Sequence, residues 1–120
     1  MSRRVLIVED EAMVALDLAQ ELSLAGFEIV GPAASVTKAL ALVRSVGCDV
    51  AVLDVNLGDE TSVPIAQELL ARGTAFIVVS GYSRERHWEG FGNAQVFNKP
   101  VRPGILVAAL EQCVAAAKKS

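Results

Sequence analysis

VLIVEDEAMVA occupies residues 5–15. Four apolar residues, three of them β-branched, run directly into Glu9, Asp10 and Glu11. Apolar residues at helical spacing follow at once. A short, continuously apolar run suits a strand buried on both faces, the habit of parallel sheets. Three adjacent carboxylates repel one another, so a positive partner is expected where that strand ends. The acids also suit the start of a helix, whose dipole favours negative charge.

The same alternation continues outward. Residues 12–25 carry Val14, Leu18 and Leu22 on one side, with Gly26 just past the helix end. Residues 27–30 read as a second strand, closed by Gly31-Pro32. Ser35 can cap a second helix, in which Val36, Ala39, Leu40 and Val43 follow at i, i+3, i+4 and i+7, and Gly47 stops it. Residues 50–53 form a third strand. Thr61 or Ser62 can cap a third helix, with Pro64 in its first turn and Gly73 at its end. Residues 75–79 and 94–97 are a fourth and a weaker fifth strand. Residues 104–118 make the last helix, with Leu106, Leu110, Cys113 and Val114 on one face. Between the last two strands, YSRERHWEGFGN (82–93) allows a short helix at 85–89, which Gly90 and Gly92 weaken.

Strand–helix alternation predicts an α/β fold with a parallel sheet and helices on both faces. Right-handed crossovers narrow the topology. For five strands the economical choice is the doubly wound, flavodoxin-like (βα)5 arrangement in the order 2-1-3-4-5. The 120 residues suit one domain spanning 1–120.

Composition removes several function classes. The chain is 52% hydrophobic and 21% charged, which excludes a disordered chain. Its net charge of -3 gives no ground for non-specific nucleic-acid or anionic-membrane binding. No apolar stretch reaches the roughly 18 residues of a membrane span, and Val5–Val8 is too short for a signal peptide core. A soluble, cytoplasmic protein is expected. Cys48 and Cys113 lack metal-like spacing; the sequence leaves a disulfide open, but they read rather as small buried hydrophobes in a reduced compartment.

In such folds the site lies beyond the carboxyl ends of the strands. Strand one ends at Glu9, Asp10 and Glu11. Strand three ends at Asp54, followed by Val55 and Asn56. Strand four ends at Ser80-Gly81, and strand five at Lys99-Pro100. The predicted order makes strands one, three and four neighbours, and Lys99 reaches in from the next strand. The constellation is two or three carboxylates, a hydroxyl and an ammonium. A hard cation such as Mg²⁺, which prefers oxygen ligands, would resolve the carboxylate repulsion.

On these residues the chain resembles a response-regulator receiver domain along nearly its whole length. The resemblance implies that Glu9 and Asp10 bind Mg²⁺ together with Asp54 and the backbone carbonyl of Asn56. It implies that Asp54 accepts a phosphoryl group from a histidine kinase or phosphotransfer protein. It implies that Ser80 and Lys99 contact the phosphoryl oxygens, and that the Lys99-Pro100 peptide is cis. FIVVSGYS (76–83) further resembles an alphaproteobacterial subgroup of receivers, often stand-alone domains, through Phe76, Ser80, Gly81 and Tyr82. Tyr82 and Asn56 flank the path of the hydrolytic water in the family.

Two departures stand out. Many receivers carry an aromatic residue three before the lysine, where this chain has Val96. Phe97 is aromatic, but strand alternation directs it to the other face; Tyr82 is a substitute for that switching role. After Pro100 the chain has Val101-Arg102-Pro103 in place of the more usual aromatic. His87 reads as an exposed loop residue, and Trp88 and Phe91 either cover the core or form a partner patch.

The expected function is that of a receiver which signals by binding an unidentified downstream protein or acts as a phosphate sink. It is not expected to be an enzyme beyond accepting and losing its own phosphoryl group. No output domain is expected after the final helix, so output is expected to pass through another protein. The rival readings are a small aspartate-nucleophile phosphatase, which would want an acid where Asn56 stands, and a partner-binding protein that is never phosphorylated.

Overall fold

The computed structural model describes residues 3–81 and 90–119. Strand β1 (Arg4–Val8) leads into helix α1 (Ala12–Leu24), then β2 (Glu28–Ala33), α2 (Val36–Ser45) and β3 (Val50–Asp54). A small hairpin, β4 (Asn56–Leu57) and β5 (Glu60–Thr61), precedes α3 (Val63–Ala71), β6 (Ala75–Ser80), β7 (Gln95–Asn98) and α4 (Pro103–Lys119). Five strands form one sheet in the order β2-β1-β3-β6-β7, and every neighbouring pair is parallel. Numbered among the long strands alone, this is the expected 2-1-3-4-5 order.

The β-branched central strands separate two cores because successive strand side chains point to opposite faces. Leu6, Val8, Ala51, Leu53, Phe76 and Val78 pack with residues of α2 and α3, among them Ala39, Val43, Ile65 and Leu69. Val5, Ile7, Val50, Val52, Ile77 and Val79 pack instead with Leu22 of α1 and with Leu106 and Leu110 of α4. Val96 lies against the first core and Phe97 against the second, so β7 also alternates. Cys48 and Cys113 are partly buried free thiols against opposite cores.

Several local expectations change. The second strand does not close at Gly31-Pro32 but runs through it to Ala33, with a register shift against β1 between Leu6 and Val8. Proline is tolerated because β2 is an edge strand and needs no donor on its open side. Residues 56–61 form an antiparallel hairpin with Asn56 opposite Thr61 and Leu57 opposite Glu60. The loop is only Gly58-Asp59, and Gly58 has φ 63°, the positive value that the first central position of a type II′ turn requires. Ser62 takes the N-cap position of α3, yet its hydroxyl caps nothing and is buried without a partner among the described residues, whereas Ser35 accepts from the Lys38 N–H at 3.2 Å.

Phe91 is almost fully buried in the α2–α3 core, which gives it the core role of the two alternatives. Gly90 and Gly92 flank it. A Cβ built on Gly90, at φ 92°, would lie 2.6 Å from Val63 Cγ1. The absence of a side chain there lets the chain close onto α3. Residues 82–89, and with them Tyr82, His87 and Trp88, lie outside the described residues.

Candidate functional site

The sheet delivers the expected side chains to one end. Glu9 follows β1, Asp54 closes β3, Ser80 closes β6 and Lys99 follows β7. Strands β1, β3 and β6 are adjacent, and Asp54 lies opposite Val79 in the register. Glu9 and Asp54 are only 5% and 6% exposed, whereas Asp10 is exposed. Carboxylate oxygens of Glu9, Asp10 and Asp54 all lie within 4.8 Å of one another.

The positive partner demanded by these acids is Lys99. Its Nζ donates to Asp54 Oδ2 at 2.8 Å and to Glu9 Oε1 at 3.1 Å. The other oxygen of Glu9, Oε2, accepts from the Glu11 N–H at 3.1 Å. Burial raises the Glu9 pKa above the ordinary carboxylate value, and the charge of Asp54 adds to the rise. The Glu11 N–H and the Lys99 ammonium offset only part of it. For Lys99 burial disfavours the charged form, but hydrogen bonds to Asp54 and Glu9 outweigh it and hold the pKa above that of an ordinary lysine. The ammonium thus stays charged where two buried carboxylates need it.

The backbone fixes the rest of the frame. The Lys99 N–H donates to the Ser80 carbonyl at 2.8 Å, tying the ends of β7 and β6 together. The Lys99-Pro100 peptide is cis. Asn56 opens the hairpin immediately after Asp54-Val55, partly buried. At the hairpin turn, the Gly58 N–H donates to Asp10 Oδ2 at 3.0 Å. Sequence reasoning missed this contact. Its signal was Leu57-Gly58-Asp59-Glu60, a glycine-led two-residue turn between strand-compatible residues.

Glu9, Asp10, Asp54 and Lys99 therefore meet, Asn56 stands on the adjoining hairpin, and Ser80 closes the neighbouring strand. Tyr82 lies outside the described residues. Three clustered carboxylates, one open to solvent, are hard oxygen donors suited to Mg²⁺. The Asp54 carboxylate is an oxygen nucleophile with a cation already beside it.

Residues 5–111 match the response regulator receiver domain family. The transcriptional regulatory protein PdtaR of Mycobacterium tuberculosis is 39% identical over 77 residues, 64% of this chain but only 38% of that protein. Among solved structures, a CheY-like receiver domain protein from Methanospirillum hungatei has a TM-score of 0.86 at 24% identity, covering 99% of this chain and 98% of that one. A Burkholderia pseudomallei response regulator, with a phosphorylated aspartic acid, calcium ion and citrate, has a TM-score of 0.80 at 19% identity, covering 98% of this chain and 72% of that one.

Proposed function

The chain belongs to the response regulator receiver domain family, and from that premise we propose that Asp54 is its phosphoacceptor, loaded from a histidine kinase or phosphotransfer protein. The observation that carries this reading is the Lys99 ammonium held between Asp54 and Glu9 inside a three-carboxylate cluster. The phosphorylated aspartic acid of the Burkholderia response regulator supports it by analogy of fold.

In the proposed step an Asp54 carboxylate oxygen attacks phosphorus. The new P–O bond forms as the P–N bond to the donor imidazole breaks, and the electron pair leaves with the imidazole nitrogen. Lys99 neutralises Asp54 beforehand and then pairs with a phosphoryl oxygen. The Ser80 hydroxyl takes another oxygen, and its movement biases the loop that follows β6. Glu9, Asp10, Asp54 and the Asn56 carbonyl would hold Mg²⁺. When bound, that ion supplies charge neutralisation for the phosphoryl oxygens.

The protein then signals by binding another protein or serves as a phosphate sink, without turning over a free substrate. The subgroup reading rests on Phe76, Ser80, Gly81 and Tyr82, and the last of these would help to set the phosphoryl lifetime. Cytoplasmic placement goes with this role, and no described helix is long and apolar enough to cross a membrane.

Intact-mass spectrometry after incubation with acetyl phosphate tests the proposal. A Mg²⁺-dependent phosphoryl adduct is expected on the wild type and not on Asp54→Asn. An adduct that persists on Asp54→Asn would remove Asp54 from its role. Steady release of phosphate from a small ester would favour a phosphatase instead.

A further inference from the structure

A cavity of about 470 Å³ opens between α1 and α4 beside the carboxylate cluster. Val52 and Val79 form its floor, Val14 and Leu18 one wall, and Val101 and Leu106 the other. Glu9, Asp54 and Lys99 close its inner end, and Asp17 and Glu21 of α1 stand at its lining. The volume falls in the range of small-molecule sites, roughly 300–1,000 Å³, which are mostly apolar with a few placed polar groups.

Charge specifies what would fit. Helix α1 carries Asp17 and Glu21, four residues apart, and no Lys or Arg. Like charges at that spacing repel, and neither carboxylate has an ion-pair partner among the described residues. The described arginine–carboxylate pairs engage Glu28, Glu68 and Glu111 instead. Among the described residues the one ammonium in the cavity, Lys99, is already shared by Glu9 and Asp54. Among the described residues four carboxylates, Glu9 and Asp54 buried and Asp17 and Glu21 exposed at the mouth, therefore line an apolar cavity against one committed cation.

We propose that this cavity binds a small amphiphilic organic cation, an apolar body seated on Val79, Val101 and Leu106 with its ammonium or guanidinium between Asp17 and Glu21. An occupant there adjoins Asp54 and Lys99. The site is thereby placed to modulate the phosphoacceptor from the side opposite α2 and α3. The proposal does not depend on phosphoryl chemistry, and neither does its test.

The test is a titration of protein with ¹³C-labelled Val and Leu methyls, in excess Mg²⁺ so that the metal cluster is not the target. The probes are 4-phenylbutylamine, 4-phenylbutanol and 4-phenylbutyrate. Saturable shifts at the Val79, Val101 and Leu106 methyls are expected with the amine, and at least tenfold weaker binding of the carboxylate. Asp17→Asn with Glu21→Gln should weaken the amine at least threefold and leave the alcohol unchanged. Val101→Phe, which fills the cavity, should abolish amine binding while the remaining methyl spectrum stays dispersed. Absence of saturable shifts at these methyls, equal affinity for amine and carboxylate, or indifference to either variant would overturn the proposal.

Discussion

Lys99 and Asp54 are joined at 2.8 Å across the gap between the ends of two strands that are not neighbours, since β6 lies between β3 and β7. The lysine's reach replaces backbone adjacency. It also binds Glu9 at 3.1 Å, so one ammonium spans three strand ends. The acids that the sequence piles up after β1 are tolerated because of a residue 90 positions away.

Replacing Lys99 should expose that dependence. Lys99→Met leaves two buried carboxylates with no ammonium between them and, because Lys99 itself is only partly buried, is expected to cost about 3 kcal/mol in the absence of divalent metal. Because Mg²⁺ restores positive charge at the same place, excess Mg²⁺ should raise the melting temperature of the variant more than that of the wild type. Equal gains, measured by thermal unfolding with EDTA and with Mg²⁺, would argue that Lys99 is not the charge partner of the cluster.

Asp10 and the cluster's buried members should separate stability from metal affinity. Asp10 is exposed, so Asp10→Asn is expected to leave the melting temperature within a degree or two while lowering Mg²⁺ affinity about tenfold or more. Calorimetric titration reads the affinity directly. A variant that binds Mg²⁺ like the wild type would place the metal elsewhere.

The close approach of Gly90 to α3 makes a sharper structural prediction. Gly90→Ala combines a positive φ with a Cβ 2.6 Å from Val63 Cγ1, and is expected to destabilise by about 1–3 kcal/mol. Val63→Ala removes the clashing methyls. The double variant should therefore be more stable than the two single losses added together, by about 0.5 kcal/mol or more. Strict additivity in urea unfolding would mean that the backbone conformation alone, not the contact, excludes a side chain at 90.

Cys48 gives a pH signature. Burial pushes its thiol up to about 11 from the ordinary 9.0, with the Asp49 charge adding to the rise. Between these values the unfolded chain loses the proton while the folded chain keeps it. Stability from this group is complete below pH 9 and is lost as pH rises toward 11. The difference in stability between wild type and Cys48→Ser should shrink across that window. Alkylation of Cys48 at pH 8 should be slower than that of a peptide thiol; labelling at the peptide rate would contradict the burial.

The sheet order and the acid cluster were legible because they rest on long-range pattern. Continuous β-branched runs give parallel strands, and residues at the carboxyl ends of such strands converge whatever the loops do. Glu9, Asp10, Asp54 and Lys99 meet for that reason. What escaped was local. The edge position of β2 lets a strand pass through Pro32, and nothing in Phe27–Val30 says which strand is the edge. The hairpin at Asn56–Thr61 has strands of two residues each, too short for alternation to register. The Arg3 guanidinium stacks 4.3 Å from the Phe27 ring centroid and also pairs with Glu111 at 2.8 Å, a tie between the start of the chain and α4 that no motif announces.

The alternation of the strands has a consequence for how far a disturbance can travel. Glu9, Asp54 and Lys99 continue the parity of Ile7, Val52 and Phe97, which face α1 and α4. Ser80 continues the parity of Phe76 and Val78, whose chamber holds Phe91. The two chambers share no side-chain path through the sheet, because its own peptide planes stand between them. A change that begins at Asp54 and is read at Phe91 must pass through the main chain of β3 and β6 or around the strand ends by way of Ser80. Amide shifts along those strands, ahead of methyl shifts in either chamber, are where such a crossing would register.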